Sequence, residues 1–411
     1  MKLLVISSPF EYTGGQKRNK LALKEYAKNG LSVDVIVPYS GLKYYNDYRR
    51  SIKEVNNISD GVRGVGYLYI RGKPKFSFDF LPEINTLYTI ENFRSDYDLV
   101  LGMHENFDTL YWSMKFSEMY NTRSAILLYN PPFYSKKKRK TLVQVYSTYK
   151  DLIPESEFFT LVKLNFNKIM LYLYEMRAKK LLRKFYKVIA ASKATILDMG
   201  YTPDARFAVF DNPGVPSEEL RLLKKIKLRT FNKCKEKKYI LYSGGYDLNK
   251  GIFDALLAFS IIKKNFSEKV KLVVTGKENK IAAVVKRLSK RLNIENDIVL
   301  TGMISKEEFF ELKSQASLTI HPSHLDSFSY NVFESLVLGT PVVGYNISAM
   351  EIYYKRLSGV VLVNELDWDA LACEAINILE NPPEVIESPK ILTWNSVISA
   401  EINLLKTLGD V

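Results

Sequence analysis

Two successive series of short apolar runs, each followed by a stretch of helical spacing, constrain the fold of this chain more than any other feature. The first series has apolar runs at 3–7 and 33–37 on either side of a helical pattern at 16–29. The second begins near residue 239 and continues to residue 343. Strands that alternate with helices form parallel sheets with helices on their faces. We therefore predict an α/β protein with two doubly wound, Rossmann-like domains.

Turn-forming residues separate the two series. The sequence Asp-Asn-Pro-Gly-Val-Pro at 211–216 suits a hinge. The predicted divisions are an N-terminal domain over 1–207, a C-terminal domain over 208–390 and a final helix over 391–411. Ligands bind doubly wound sheets outside the carboxyl ends of the strands. Two such domains are expected to face each other across one interdomain cleft.

Composition excludes several classes of protein. Of the 411 residues, 46% are hydrophobic and 25% are charged, which is ordinary for globular chains and excludes global disorder. Two cysteines, Cys234 and Cys373, cannot form a disulfide framework, and this favours a reducing compartment. No uncharged apolar run reaches the roughly 18 residues that a membrane span needs. A cytoplasmic protein is therefore the expectation.

Positive charge is concentrated in two segments of the chain. Residues 136–187 contain fourteen Lys and Arg against four Asp and Glu, and residues 221–238 contain nine against one. The chain has a formal net charge of +14, so the remaining residues are net negative. A localised positive field favours an anionic partner, which could be a nucleic acid, a membrane surface or a phosphorylated substrate.

The most informative local pattern lies at 321–343, where a strand exit, a helix start and another strand follow in succession. Asp326 lies in the loop, and Glu334 follows eight residues later inside the predicted helix. The first N–H groups of that helix, near 329–332, are expected to be free to bind an anion. Two carboxylates beside an anion site suit a phosphorylated sugar, because they can accept hydrogen bonds from its hydroxyls. The alternative is a helix cap at Asp326 and a solvated Glu334.

This pattern resembles the Glu-x7-Glu element of retaining GT-B glycosyltransferases of family 4, the glycosyl transferases group 1, with Asp326 in place of the first Glu. Further matches follow in order along the chain, at Gly14-Gly15, Asn212-Pro213-Gly214-Val215, Lys250-Gly251, Leu300–Ser305 and Leu338–Val343. The resemblance implies a GT-B fold with a metal-independent hexosyltransferase activity and no cofactor. A sugar would move from a nucleotide-diphosphate donor to a hydroxyl of a glycan or lipid-linked acceptor.

The resemblance also implies a role for each matching position. Glu334 would bind the ribose hydroxyls, and Lys250 the leaving diphosphate. Asp326 would be catalytic and would hold the hydroxyls of the donor sugar. The other implied donor-binding positions are Gly14, Gly15, Gly276, Lys277, Met303, Ile304, Phe328, Ser329, Tyr330 and Asn331. Residues 1–207 would bind the acceptor, residues 208–390 the donor, and the helix over 391–411 would return to the N-terminal domain.

Two positions depart from the family pattern. An Arg that often precedes the Lys-Gly pair by five residues is Gly245 here, and Lys277 is the candidate replacement. The shorter side chain of Asp326 is expected to shift sugar preference.

The chain has three histidines, His104, His321 and His324. His104 follows an apolar run at 99–101, where the family often has a His near the reacting carbon, and it is therefore predicted to be catalytic; a packed loop histidine is the alternative. His321 and His324 flank the motif and are expected to shape its loop. A metal pair is not expected, because neither histidine has a nearby ligand set at zinc spacing. Asp-x-Asp sequences at 96–98 and 367–369 are interpreted as structural, and no metal is expected.

Residues 161–187 could serve in either of two ways. An apolar stripe at helical spacing consists of Val162, Phe166, Ile169, Leu173 and Met176. The stripe could pack on the N-terminal sheet, or the basic segment could contact an anionic membrane. The second reading would make the protein peripheral on the cytoplasmic face of the membrane.

Two other functions stay open. A nucleotide-sugar epimerase of GT-B-like fold would use the same donor. A basic nucleic-acid-binding protein would use the charge, but it leaves residues 321–343 unexplained, so no nucleic-acid partner is expected.

Overall fold

The computed structural model describes residues 1–8, 14–38, 48–69, 86–89, 93–150, 168–202, 204–230 and 239–409. The chain divides into two compact units. Unit 1 comprises Met1–Lys136, Leu161–Gly214 and Leu392–Val411. Unit 2 comprises Lys137–Thr160 and Val215–Ile391. Residues 137–150, which the sequence-based division places in the N-terminal domain, therefore lie in unit 2.

The sheet of unit 1 has eight strands in the described residues, in the order β4-β3-β2-β1-β5-β6-β7-β8. They are β1 (Lys2–Ile6), β2 (Ser32–Val37), β3 (Val62–Tyr69), β4 (Thr86–Thr89), β5 (Leu99–Met103), β6 (Arg123–Leu128), β7 (Lys187–Ala190) and β8 (Phe207–Val209). The edge strand β4 is antiparallel to β3, and the other neighbours pair in parallel. Strand β1 is central, with Val5 opposite Val35 on one side and Leu101 on the other.

The helices of the chain are numbered in sequence order. Those of unit 1 are α1 (Gly14–Lys28), α2 (Tyr48–Asn56), α3 (Phe107–Met119), α5 (Lys168–Leu182), α6 (Lys193–Asp198) and α14 (Trp394–Gly409). The sequence predicts a glycine loop before a helix that starts at residue 16, but Gly14 and Gly15 are already the first residues of α1. Glycine is among the residues that are favoured at the start of a helix.

The last helix, α14, packs on the sheet of unit 1 through apolar residues of its buried face, Val397, Ile398, Ile402, Leu405 and Leu408. Glu401 lies on the same face and is fully buried. Its Oε2 atom is 2.5 Å from Nη2 of Arg18, and the hydroxyl of Tyr26 donates to its Oε1 atom. A buried carboxylate is tolerated when it is paired in this way.

Helix α5 carries part of the apolar stripe. Ala178 and Leu182 are buried in a core cluster with Val188, whereas Met176 is 52% exposed. Val162 and Phe166 lie outside the described residues, and the side chains of Ile169 and Leu173 are likewise not described. The choice between sheet packing and membrane contact therefore stays a prediction. Of the helices in the described part of the chain, none is both long and apolar enough to cross a bilayer.

The sheet of unit 2 has six strands in the described residues, all parallel, in the order β11-β10-β9-β12-β13-β14. They are β9 (Tyr239–Tyr242), β10 (Lys271–Thr275), β11 (Ile298–Gly302), β12 (Leu318–His321), β13 (Val342–Tyr345) and β14 (Val360–Val363). Its helices are α4 (Lys136–Lys150), α7 (Ser217–Thr230), α8 (Ile252–Asn265), α9 (Lys280–Arg291), α10 (Lys306–Gln315), α11 (Tyr330–Leu338), α12 (Ser348–Tyr353) and α13 (Trp368–Glu380). The prediction of two α/β domains built on parallel sheets is confirmed.

The strand order of unit 2 reverses next to β9. The chain adds β10 and β11 on one side of β9 and then returns to place β12 on its other side. In such sheets the ligand crevice lies outside the carboxyl ends of the strands at the point of reversal. That point is flanked by the loops that follow β9 and β12.

Candidate functional site

The loop after β9 meets the loop after β12 at a glycine. A short 3₁₀ turn at Leu248–Lys250 is capped by Asp247, whose carboxylate accepts a hydrogen bond from the N–H of Asn249 at 2.8 Å. Gly251 follows with φ of 72°, and a Cβ atom there would lie 1.9 Å from the carbonyl oxygen of Pro322. Only glycine allows both this left-handed backbone and this close approach, which explains why a glycine follows Lys250.

Lys250 and Asp326 join the two loops as an ion pair. The Nζ atom of Lys250 lies 2.7 Å from Oδ1 of Asp326 and 2.9 Å from the carbonyl oxygen of Leu325. On the other side of the carboxylate, Nε2 of His321 lies 3.2 Å from Oδ2. Burial by itself would raise the pKa of the Asp326 carboxyl, but the Lys250 ammonium and the His321 hydrogen bond outweigh it and hold that pKa below its usual range.

The start of α11 follows directly on this loop. Ser329 precedes the helix in the left-handed region, with φ of 55° and ψ of 63°, a strained conformation for a residue other than glycine. The hydroxyl of Tyr354 donates to the carbonyl oxygen of Phe328 at 2.6 Å and so fixes the preceding peptide. The N–H of Val332 donates to the carbonyl oxygen of Ser329 at 2.9 Å. The expectation of free N–H groups near residues 329–332 is therefore wrong for Val332, whose N–H is already used within the first turn.

Glu334 lies on α11 and is 7% exposed. Its Oε2 atom is 2.7 Å from Nζ of Lys313, and its Oε1 atom is 3.8 Å from Nζ of Lys306. The alternative of a solvated Glu334 is therefore wrong. A simple cap at Asp326 is wrong as well, since the residue that precedes α11 is Ser329 and Asp326 is paired with Lys250.

Sequence reasoning missed Lys313, a fully buried lysine near the end of α10. A signal for it exists in the spacing, because Lys313 follows the core residue Phe310 by three positions and so lies on the same helix face. A lysine on a core-facing position indicates a buried partner, which here is Glu334.

The predicted base-pocket residues follow β10 and β11, on the same side of β9. Gly276, with φ of 133°, donates its N–H to the carbonyl oxygen of Gly302 at 3.2 Å, so the two loops touch. Lys277 is exposed, Met303 is 73% exposed and Ile304 is half-buried. These side chains are thus at the surface of the carboxyl edge of the sheet.

A buried polar cluster supports the loop after β12 from behind. Asp254 on α8 accepts hydrogen bonds from Tyr345 at 2.8 Å and Trp368 at 2.7 Å, and also from Tyr149 on α4. His324 has Nε2 at 3.3 Å from Oδ2 of Asp254. The sequence-based expectation that His324 shapes the loop is consistent with this anchoring.

His324 lies between two carboxylates. Its Nδ1 atom is 3.0 Å from Oε2 of Glu365, and Oε1 of Glu365 is 3.2 Å from Nζ of Lys138 on α4. Burial alone would lower the pKa of His324, but the hydrogen bonds to Asp254 and Glu365 outweigh it and raise that pKa. The hydroxyl of Tyr146 also donates to Oδ1 of Asn249 at 2.7 Å. Helix α4 belongs to unit 2 because these side chains bind it there.

His104, Gly14 and Gly15 lie in unit 1. His104 follows β5 and is partly exposed, with Nδ1 at 3.6 Å from Oε2 of Glu105. Within the described residues this nitrogen has no hydrogen-bond partner. Asn19 of α1 donates to the carbonyl oxygen of Met103 at 3.1 Å, so the helix that begins at Gly14 is held at the exit of β5. The catalytic role of His104 stays a prediction.

The two Asp-x-Asp sequences have structural contacts. Asp96 and Asp98 bind the side chain and the backbone N–H of Lys2, at 2.5 Å and 2.6 Å. Asp367 caps α13 by accepting the N–H of Ala370 at 3.0 Å. These contacts agree with the structural interpretation. Over the described ranges, no group of three or more His, Cys, Asp or Glu side chains is arranged to hold a metal ion.

Comparison with known proteins relates this geometry to a family. The family model "Glycosyl transferases group 1" matches residues 224–393. Alpha-monoglucosyldiacylglycerol synthase of Streptococcus pneumoniae is 27% identical over 171 residues, which are 41% of this chain and 37% of that protein. The chain thus matches little more than a third of the length of this curated relative.

Solved structures show the same fold over the whole chain. Sucrose-phosphate synthase from Thermosynechococcus elongatus has a TM-score of 0.65 at 15% identity and covers 99% of this chain and 98% of its own. Anabaena HepE in complex with UDP-glucose has a TM-score of 0.58 at 16% identity and covers 100% of both chains. Residues 224–393 thus match the model of the glycosyl transferases group 1 family, and the chain as a whole has the GT-B fold of these solved structures.

Proposed function

We propose that this protein is a retaining glycosyltransferase, which moves a hexosyl group from a nucleotide-diphosphate donor to a hydroxyl of a glycan or lipid-linked acceptor. The observation that carries the proposal is the Lys250–Asp326 ion pair, 2.7 Å long, at the point where the strand order of unit 2 reverses. It lies immediately before the N-terminus of α11, where Phe328, Ser329, Tyr330 and Asn331 would face the donor.

Each proposed donor contact has a chemical reason. Lys250 would exchange its bond to Asp326 for the diphosphate, because a divalent anion offers more charge than one carboxylate. Asp326, once released, would accept hydroxyl hydrogens of the sugar. Glu334 would accept those of the ribose. The residues that would lie beside the base are Gly276, Lys277, Met303 and Ile304. Lys277 would also supply the positive charge near the diphosphate that the family Arg supplies at the position of Gly245.

The proposed reaction depends on stabilising the departing diphosphate. The transition state would resemble an oxocarbenium ion, and the leaving phosphate would take the proton of a hydroxyl that attacks from the same face. Lys250 and the amides that begin α11 would supply the stabilising charge, which is why we propose a metal-independent reaction. His104 would contact the donor sugar near the reacting carbon, and the backbone at Gly14-Gly15 would lie beside the diphosphate.

A donor screen followed by product analysis tests the proposal. The purified protein is incubated with UDP-, GDP- and ADP-sugars, with and without candidate acceptors, and the products are identified by mass spectrometry. A glycosylated acceptor of retained anomeric configuration supports the proposal. An altered free sugar formed without any acceptor would favour an epimerase, and inversion at the anomeric carbon would refute the retaining mechanism.

We further propose a lipid-linked acceptor and a peripheral location on the cytoplasmic face of a membrane. Support comes from the basic residues of α4 and α5, and from a relative whose name specifies a diacylglycerol lipid. Each exposed basic residue near an anionic surface contributes about 1 kcal/mol. Sedimentation with liposomes that contain 30% anionic lipid, at low and high salt, tests this. Absence of binding at low salt would refute it.

A further inference from the structure

Lys313 is buried in a site built to receive an ammonium group. Its Nζ atom lies 2.7 Å from Oε2 of Glu334, 2.6 Å from Oδ1 of Asn331 and 3.0 Å from the carbonyl oxygen of Asn331. A lysine ammonium has three N–H donors, and these three acceptors use them all. The ring of Phe309 lies 4.5 Å from the same nitrogen.

Burying this lysine has a cost that packing alone does not explain. Burial lowers the pKa of Lys313, and the carboxylate of Glu334 acts in the opposite direction without cancelling the effect. An apolar side chain of similar length would fill the same space without that cost. The hydroxyl of Thr340 donates to the carbonyl oxygen of Lys313 at 2.7 Å, so the backbone that carries the ammonium is also held.

The contact fixes the orientation of Glu334. Its Oε2 atom is bound by Lys313, whereas Oε1 is 3.8 Å from Nζ of Lys306, a side chain that is 46% exposed. One carboxylate oxygen is therefore held by a buried ammonium, and the other lies nearest to the ammonium of a partly exposed lysine. The same ammonium binds the backbone and the side chain of Asn331 in the first turn of α11.

We infer that Lys313 is a positioning residue that makes the donor site select ribonucleotides over deoxyribonucleotides. By holding Glu334 in one orientation, it would allow this carboxylate to accept both ribose hydroxyls of a donor. The inference rests on the proposed function, in which Glu334 binds the ribose. It extends that function by assigning the sugar preference of the nucleotide to an ammonium that does not touch the ligand.

The test measures affinities for ribose and deoxyribose forms of one nucleotide. UDP, GDP and ADP are first titrated into the wild-type protein by calorimetry. For the base that binds, the 2′-deoxy and 3′-deoxy diphosphates are titrated into the wild type, Lys313→Met, Glu334→Gln and Lys313→Met/Glu334→Gln. Lys355→Met is the matched control, because Lys355 forms an exposed ion pair with Glu351 at 3.2 Å in the same unit.

We expect the wild type and Lys355→Met to prefer the ribose form on the order of ten- to hundredfold, as hydrogen bonds to a charged group allow. In Lys313→Met the preference falls to within about threefold of unity, while affinity for the deoxy forms stays within about threefold of wild type. A purely structural role would weaken both forms equally, and this result would overturn the inference. An unchanged preference would overturn it as well.

The double variant covers the case in which Lys313→Met does not fold. Removing both charges leaves no unpaired buried carboxylate. If Lys313 acts through Glu334, the double variant and Glu334→Gln have the same preference; a further loss in the double variant would overturn the inference. A wild type that binds none of the three diphosphates would refute the proposed function and the inference with it. Nucleotide binding with an unchanged preference in Lys313→Met removes the inference alone.

Discussion

The ammonium of Lys250 lies 2.7 Å from the carboxylate of Asp326, so the cation that we assign to the leaving diphosphate is neutralised before any donor binds. The pair keeps both charges in a partly buried place, where an isolated ion would be costly. In the proposed function, donor binding would exchange one anion for another, and the exchange would free Asp326 for the hydroxyls of the donor sugar.

Replacing Lys250 tests its role in catalysis. Lys250→Met keeps the length of the side chain but removes its charge, and we expect kcat of sugar transfer to fall about 10²- to 10³-fold, the usual loss when one preorganised donor to a developing negative charge is removed. Steady-state rates with the preferred donor measure the effect. Lys355→Met should retain wild-type kcat. A normal kcat in Lys250→Met would exclude Lys250 from leaving-group stabilisation.

Two glycines of the same loop form a matched pair for stability. Gly251 and Gly245 both have positive φ, at 72° and 67°, but a Cβ atom at Gly251 would lie 1.9 Å from the carbonyl oxygen of Pro322, whereas one at Gly245 would have nothing within 4 Å. Gly245→Ala should cost about 1–2 kcal/mol for the left-handed backbone. Gly251→Ala should cost a further ~1–3 kcal/mol for the clash. Urea unfolding measures both, and equal losses would contradict the expected approach of the two loops.

His324 should make stability depend on pH. Its pKa is raised in the folded state, so the folded protein holds a proton that the unfolded chain loses near pH ~6.5. The stabilisation is complete below that pH and is lost as pH rises through the folded pKa. We expect the free energy of unfolding to fall above pH ~6.5 in the wild type and to lose this slope in His324→Gln.

The control for this pH effect is Tyr345→Phe. Tyr345 donates to Oδ1 of the same Asp254 carboxylate, but burial raises the pKa of its hydroxyl, so it does not titrate between pH ~6 and ~9. The free energy of unfolding of this variant should fall with pH as steeply as that of the wild type. Urea titrations at several pH values provide the measurement, and an identical slope in His324→Gln would assign the titration to another group.

Breaking the buried ion pair between Arg18 and Glu401 should destabilise unit 1 strongly. Both side chains are almost fully buried, and Arg18→Met would leave Glu401 without its partner, at a cost of about 3–5 kcal/mol. Arg18→Met/Glu401→Leu should recover much of that loss, because no unpaired charge remains. Chemical unfolding of the three proteins measures this. A double variant less stable than Arg18→Met would contradict the expected coupling.

The sequence predicts the strands well, because their apolar runs are short and bounded by turns. Strand β12 ends at His321 and helix α11 begins at Tyr330, which agrees with the strand exit and the helix start expected within residues 321–343. Partners of these residues were harder to foresee. Lys313 and Glu334 are 21 residues apart, and Tyr149 and Asp254 are 105 apart, so their meeting depends on how helices pack rather than on local spacing.

Helix α4 shows that the position of a segment along the chain does not always predict the domain in which it packs. Its basic start suggested a surface element of the N-terminal half. The anchors that bind it to unit 2 are single polar side chains, Tyr146 and Tyr149, with no periodicity that marks them. The residues that flank α4 in the sequence therefore assigned it to the N-terminal domain, whereas it packs in unit 2.

Neither unit is one uninterrupted stretch of chain, since residues 137–150 complete unit 2 and residues 392–409 complete unit 1. A gene cut after codon 207 would yield two fragments that each lack a helix, one of them with Arg18 opposite a missing carboxylate. Expressing unit 2 alone therefore requires a rearranged gene that joins α4 to residues 215–391. An exchange of this unit between relatives would need the same chain ends.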